Sequence, residues 1–549
     1  QVAALTLGMV SVLSTDQVVA LQAKQVQGLS TGQVVSLTPT QVSALTSDQL
    51  KALTTEQLVA MDTAQFAALT SDQVSAFKNN QIAAFELADL QALGTDQVAA
   101  LTSTQVQNLT TAQVAALTTD QVTAMETLDV AALSKAQLQA LTTDQTVALK
   151  TEQVVALRPV QVSSLSLQSM AVLTSDQVPA LSTDQMVALG TAQVAALKSE
   201  QWAVMTTDQV ASLKSNQVMA IEIADLPGLS TDHMAALLRN QVTAFTTDQI
   251  QALSATQMAA ISTETFSALS TAQVKALTTA QVAALTTDQV AAMTNGQVAA
   301  LTTDAVKALT TDAMVALTTA QVKSLTTQQV SSLTTDQIVA IETNDVQVLS
   351  SNQLVALTTG HVRAISTDQL LALSANQLAS METTDVAAMT TDQVVALSSG
   401  QVAALTTNQF SHMTTEQVAA LTTAQLVKVT TKDIAALTTD QVRAMTTDQL
   451  GALLTNQVTA LKTSQISALT SDQMAGFGVT QVGVFTVDQA KALGSTQIMG
   501  LSTTQVAAIN TKDLVSMSNA QLNMLSTDQI AALGNGQVSA LKPAQMASL

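Results

Sequence analysis

Three histidines, a set of misplaced aspartates and a hydroxyl every eight residues are the groups in this chain that could do chemistry. His233 and His361 occupy the same slot of a repeating pattern, and His412 stands in a different one. A metal ligand or a general base needs a second converging group, and none lies at ligand spacing from these imidazoles. They read as substituted residues of the repeat. Asp89, Asp129, Asp225, Asp345, Asp385, Asp433 and Asp513 all stand where the repeat carries Gln. The first five follow Glu86, Glu126, Glu222, Glu342 and Glu382 at a distance of three residues, and the last two follow Lys432 and Lys512 directly. Such acids could hold cations, but calcium takes about 6–8 converging oxygens and no loop has that spacing. They read instead as an alternative way of accepting at a helix start. There is no Cys, hence no disulfide, thiolate site or thiol nucleophile. No glycine-rich phosphate loop and no nucleophile elbow is present. The expectation is a protein that is not an enzyme, with no catalytic, cofactor-binding or metal site. Its only cofactor would be divalent cations held loosely at an acidic surface.

The element that must position everything is an octad, as in Leu285-Thr286-Thr287-Asp288-Gln289-Val290-Ala291-Ala292. The Gln slot keeps one phase from Gln1 to Gln545 without insertion or deletion. Thr286 reads as a helix N-cap. Thr-x-x-Gln then makes a capping box, in which the Thr hydroxyl accepts from the Gln289 N–H and the Gln side chain turns back to the Thr286 N–H. Leu285 before the cap and Val290 at the fourth helical position have the spacing of a hydrophobic staple. Asp288 suits the positive end of the helix dipole. A start every eight residues implies an end every eight residues. The expectation is therefore mini-helices of about six residues with a bend at Leu-Thr, stable only through packing on their neighbours.

The exceptions test that reading. Every Phe and the single Trp stand in the Val slot (Phe66, Trp202, Phe266, Phe410) or the Leu slot (Phe77, Phe85, Phe245, Phe477, Phe485). Those two slots are the predicted core, with Ala slots keeping the helices close, and no Lys or Arg falls in the Gln, Val or Leu slot. Pro39, Pro159 and Pro543 take the first helical position, where Pro is favoured. Gly94, Gly190, Gly478, Gly494 and Gly534 take the cap. Pro179 and Pro227 fall inside the mini-helix and should shorten or kink it. Ala305 and Ala313 in the Gln slot show that the box is helpful rather than obligatory.

The fold class expected is an all-α repeat solenoid, with residues 1–549 as one continuous array. The alternative is a β-solenoid with three octads per coil, which Val-Ala-Ala-Leu suits poorly because it does not alternate. One continuous helix fails because eight residues turn about 800°, so the apolar stripe drifts by about 80° per octad. Starting mid-octad at Gln1 and stopping mid-octad at Leu549, the chain reads as a segment of a longer array. A net charge of −20 argues against nucleic acid and anionic lipid as partners, and no apolar run approaches the ~20 residues of a membrane span.

The octad around Asp144-Gln145-Thr146-Val147 resembles the opening of a TAL-effector repeat, with its Leu-Thr-x-x-Gln-Val-like helix start. That family's unit is several times longer and carries base-reading residues absent here, so the resemblance reaches the helix-start signal alone. The array as a whole resembles the short tandem repeats of giant bacterial surface or secreted proteins. That resemblance implies an extracellular or cell-surface structural role and transfers no functional residue. Two functions follow as expectations. One is self-association into a filament, sheath, surface layer or adhesin stalk. The other is an extended binding surface for ice, glycan or a partner protein on a monomeric solenoid.

Overall fold

The computed structural model describes residues 2–549. They form short helices from end to end, and no strand occurs among the described residues, so the β-solenoid is not the fold. The chain divides into two compact units, Gln1–Ala284 and Leu285–Leu549, each a helical solenoid of octads.

A consensus octad shows why. In Thr287–Ala292 the cap Thr286 is extended (φ −73°, ψ 155°) and its side chain accepts from the Gln289 N–H, with the full capping box in place. The helix stops at Met293, in the Leu slot, which is again extended (φ −60°, ψ 141°) and gives its N–H to the Val290 carbonyl. Two consecutive extended residues, Leu slot then cap, therefore turn the corner. No residue among those described has positive φ, so the corner needs no glycine. Pro39, Pro159 and Pro543 start their helices, and Gly94, Gly190, Gly478, Gly494 and Gly534 are N-caps. Pro179 leaves a helix of four residues, Gln177–Ala180, and Pro227 lies in a 3-10 helix, Ile223–Gly228. Around Ala305 and Ala313 the helices Thr303–Ala308 and Thr311–Ala316 form without the Gln.

Within each unit, helices lie against those three octads before and after them. In the first unit Thr119–Ala124 packs on Thr95–Ala99 and Thr143–Ala148; in the second Thr391–Ala396 packs on Thr367–Ala372 and Thr415–Ala420. Side-chain bonds between layers span 23 to 31 residues, so one turn of the solenoid takes between three and four octads. The Val and Leu slots point inward and are buried through the interior of the array, opening only near its ends, where Val538 and Met546 are exposed. Phe66 and Phe77 each meet Phe85 edge to face, at 4.9 and 5.2 Å between ring centroids, so residues of both slots share one core. Burying such a side chain contributes about 1.5–3 kcal/mol, and this packing sustains helices too short to stand alone. Among the described residues no helix is long and apolar enough to cross a membrane.

Candidate functional site at the turn boundary

The Gln slot is where the structure adds most to the octad. The Val and Leu slots alone were expected in the core, yet Gln is buried too: Gln41, Gln121, Gln289 and Gln441 are each 1–3% exposed. Its side chain works in two directions. Gln41 Oε1 accepts from the Thr38 N–H at 2.7 Å, closing the capping box. Gln41 Nε2 donates to the carbonyls of Val10 at 3.0 Å and Leu13 at 2.7 Å, one turn of the solenoid back. The same bridge recurs in the second unit, where Gln321 Nε2 donates to Val290 O at 2.9 Å and Met293 O at 2.7 Å. The acceptors are the Val-slot carbonyl of the last helical turn, which also takes the N–H of the corner residue, and the carbonyl of the corner itself. One amide thus caps its own helix start and the helix end beneath it.

His233 and His361 reproduce this bridge. Nδ1 of His233 accepts from the Ser230 N–H at 3.1 Å while Nε2 meets Met205 O at 2.8 Å. Nδ1 of His361 accepts from the Thr358 N–H at 3.2 Å, and Nε2 meets Leu333 O at 2.8 Å. A backbone N–H on one nitrogen and a carbonyl on the other select the neutral Nε2–H tautomer, in which the ring offers an acceptor and a donor as Gln does. Both rings are committed to the boundary. His412 is exposed at a helix end, with Nδ1 2.7 Å from Asn408 O.

The aspartates correct the sequence reading. Asp was expected to keep the local capping chemistry, but the helices bearing Asp89, Asp129, Asp225, Asp345 and Asp385 show no capping box, and their Glu caps make no side-chain cap bond. The shorter carboxylate turns to other partners. Asp129 Oδ1 accepts from Ser103 Oγ at 2.7 Å, and Asp433 accepts from the hydroxyls of Thr407 and Thr430. Asp89 and Asp385, 3% and 2% exposed, each keep one oxygen, Oδ2, buried without a hydrogen-bond partner. Burial first, then the charges of Glu86 and Asp62, pushes the Asp89 carboxyl up to about 6. Burial, then Glu382, does the same to Asp385, also to about 6. Burial raises Asp129 against the opposing Ser103 hydroxyl, and raises Asp513 against Lys512. Among the described residues no three His, Asp or Glu side chains converge on a point able to hold a metal ion.

The bridge escaped the sequence because its partners lie 28 and 31 residues away, a distance set by the turn length. The signal available was chemical: a capping box uses the Gln carbonyl oxygen and leaves two amide hydrogens to be placed.

Comparison with known families is consistent with this organisation. The family described as the ALTTAQ repeat matches the chain in segments 10–79, 82–119, 122–159, 180–215, 218–255, 258–479 and 506–543. No curated protein matches it.

Proposed function

The chain belongs to the ALTTAQ repeat family, and from that premise we propose that it is a structural protein whose copies associate into an extracellular or cell-surface filament, sheath, surface layer or adhesin stalk. The observation that carries this reading is the sameness of the turn boundary. The Gln bridge to a carbonyl 28 residues back is made by Gln41 in the first unit and by Gln529 in the second alike. Because that bridge uses main-chain carbonyls, it is indifferent to what the outward slots carry. The outward Thr and Asp slots are exposed and recur at octad spacing, so a contact that one octad can make, many can make. We read residues 1–549 as one array, since the octad phase runs unbroken past residue 284, and as non-catalytic. The partner is a second copy of the chain. A net charge of −20 makes side-by-side association depend on screening or on divalent cations.

Electron microscopy together with sedimentation velocity tests this. Assemblies should form at moderate salt with divalent cations and loosen at low salt or with chelator. A chain that stays monomeric under all these conditions would overturn the reading.

One observation favours a second reading. The cap hydroxyl of Thr286 is engaged by the Gln289 N–H at 3.1 Å, but Thr287 at the first helical position is exposed. The outer face thus presents single rather than paired Thr hydroxyls per octad, available to ice, a glycan or a protein on a monomeric solenoid. Thermal hysteresis and a glycan array with monomeric chain distinguish this from self-association.

A further inference from the structure

We propose that the octads containing Asp89 and Asp385 are acid-closed boundaries: on acidification each buried aspartate takes up a proton, and the new O–H donates across the boundary to the preceding turn in place of the missing Gln amide. The geometry carries this. At every Gln boundary described above, the amide hydrogens meet carbonyls 31 and 28 residues back. The equivalent carbonyls are those of Leu58 and Met61 for Asp89, and of Leu354 and Leu357 for Asp385. An ionised carboxylate has no hydrogen to give them, and Oδ2 of each aspartate is buried with no donor of its own. A buried acceptor with no donor is unfavourable until a proton is placed on it. The proton comes from solvent and stays on the carboxyl, and no other bond changes.

The surrounding charges differ at the two places. Asp89 faces Glu86 on its own octad and Asp62 at the cap of the helix packed beneath, Thr63–Ala67. The helix packed above, Thr111–Ala116, carries no charge, and Glu56 and Asp120 on the next helices round are exposed. Asp385 faces Glu382. The helix beneath it, Thr359–Ala364, brings His361, already held at the boundary by Thr358 and Leu333, and Arg363, whose Nε reaches Ala388 O at 3.4 Å. The helix above, Thr407–His412, brings His412 at its exposed end, and Glu416 on the following helix is exposed. The sign of the effect follows from the raised carboxyls. Each binds its proton more tightly in the closed boundary than in the opened chain. The stabilisation is therefore complete below the ordinary value of 3.8 and is lost as pH rises through about 6.

Hydrogen exchange on the full chain, corrected for the pH dependence of intrinsic exchange, reads the opening of each boundary. Between about pH 7.5 and about pH 5, one such proton lowers opening by roughly tenfold. Protection should rise by that factor in segments 55–93 and 351–389. It should stay level around Asp433, whose carboxylate already accepts from Thr407 and Thr430. Asp89→Gln and Asp385→Gln restore the repeat's own residue, and should give high protection that no longer changes with pH. The proposal is overturned if the wild-type segments show no rise, or if the rise persists in the Gln variants. It is equally overturned if millimolar calcium at neutral pH produces the same protection, which would assign a cation to the gap.

Discussion

The octads Thr318–Leu325 and Glu222–Leu229 differ at almost every point of local chemistry. In the first, Thr318 and Gln321 close a capping box over the helix Thr319–Ser324, and Gln321 bridges to Val290 and Met293. In the second, Glu222 makes no side-chain cap bond, Asp225 replaces the bridging Gln, and Pro227 cannot donate the N–H that an α-helix would use, so the segment winds as a 3-10 helix. Yet both keep their core slots buried, Val322 and Leu325 in one, Leu226 and Leu229 in the other. The comparison separates two layers of information. Phase and core residues hold the octad in the solenoid, while caps and bridge add stability to a fold already determined.

The second octad also shows how a large residue is absorbed. Trp202 fills a Val slot, is fully buried and leaves its indole Nε1 without a partner. The segment Ile223–Gly228 packs against its helix so closely that a Cβ on Gly228 would fall 2.2 Å from Ser199 O and 2.9 Å from Trp202 Cβ. Breaking this compensation should have the largest effect. Gly228→Ala forces backbone apart and is expected to cost about 3 kcal/mol locally. Trp202 is the single tryptophan, so its fluorescence during urea unfolding reports this region alone. An unchanged midpoint would mean that the two segments are free to move apart.

Next in size is a charge placed in the regular octad. Gln321→Glu keeps the shape but sets an acceptor against the carbonyls of Val290 and Met293, and about 2 kcal/mol should be lost at neutral pH. Hydrogen exchange at the corner after Val290 measures it. Acidification should return part of the loss, because a protonated Glu donates one hydrogen where Gln donated two. Glu can still accept from the Thr318 N–H and keep the capping box, so equal loss at both pH values would show that the cost does not come from the acceptor set against those carbonyls. A smaller effect isolates the cap. Thr318→Ala removes the hydroxyl that accepts from the Gln321 N–H at 3.4 Å and should cost about 1 kcal/mol, seen as a modest fall in thermal midpoint.

How far each feature could be read follows from where its partners lie. The capping box, the corner at Leu-Thr and the proline positions are satisfied within one octad, so residue types at fixed short spacing declare them. The core slots were legible because Phe and Trp never leave them. The amide half of Gln and the meaning of Gly228 were not, since their partners lie a turn away: Ser199 is 29 residues before Gly228, and octad phase alone does not state how many octads make a turn. Asp in the Gln slot was misjudged for the same reason. Viewed within one octad it is another acceptor at a helix start; viewed across the boundary it is an acceptor where a donor is required.

The smallest change expected is also the sharpest test of the comparison. Asp225→Gln returns the bridging residue to the octad that has departed furthest from consensus. In register, its amide would reach the carbonyls of Val194 and Leu197, 31 and 28 residues back, as Gln321 reaches Val290 and Met293. The gain should be under about 1 kcal/mol, because Asp225 already draws on Ser199 and Lys198 against its burial, and those interactions are given up. Trp202 fluorescence again supplies the measurement. A small rise in midpoint would show that bridge and helix type are independent, so that a 3-10 segment still presents its Gln slot to the turn beneath. A fall would show that the tightening imposed by Pro227 has carried the slot out of line, and that this octad holds its place through packing against Trp202 and Ser199 alone.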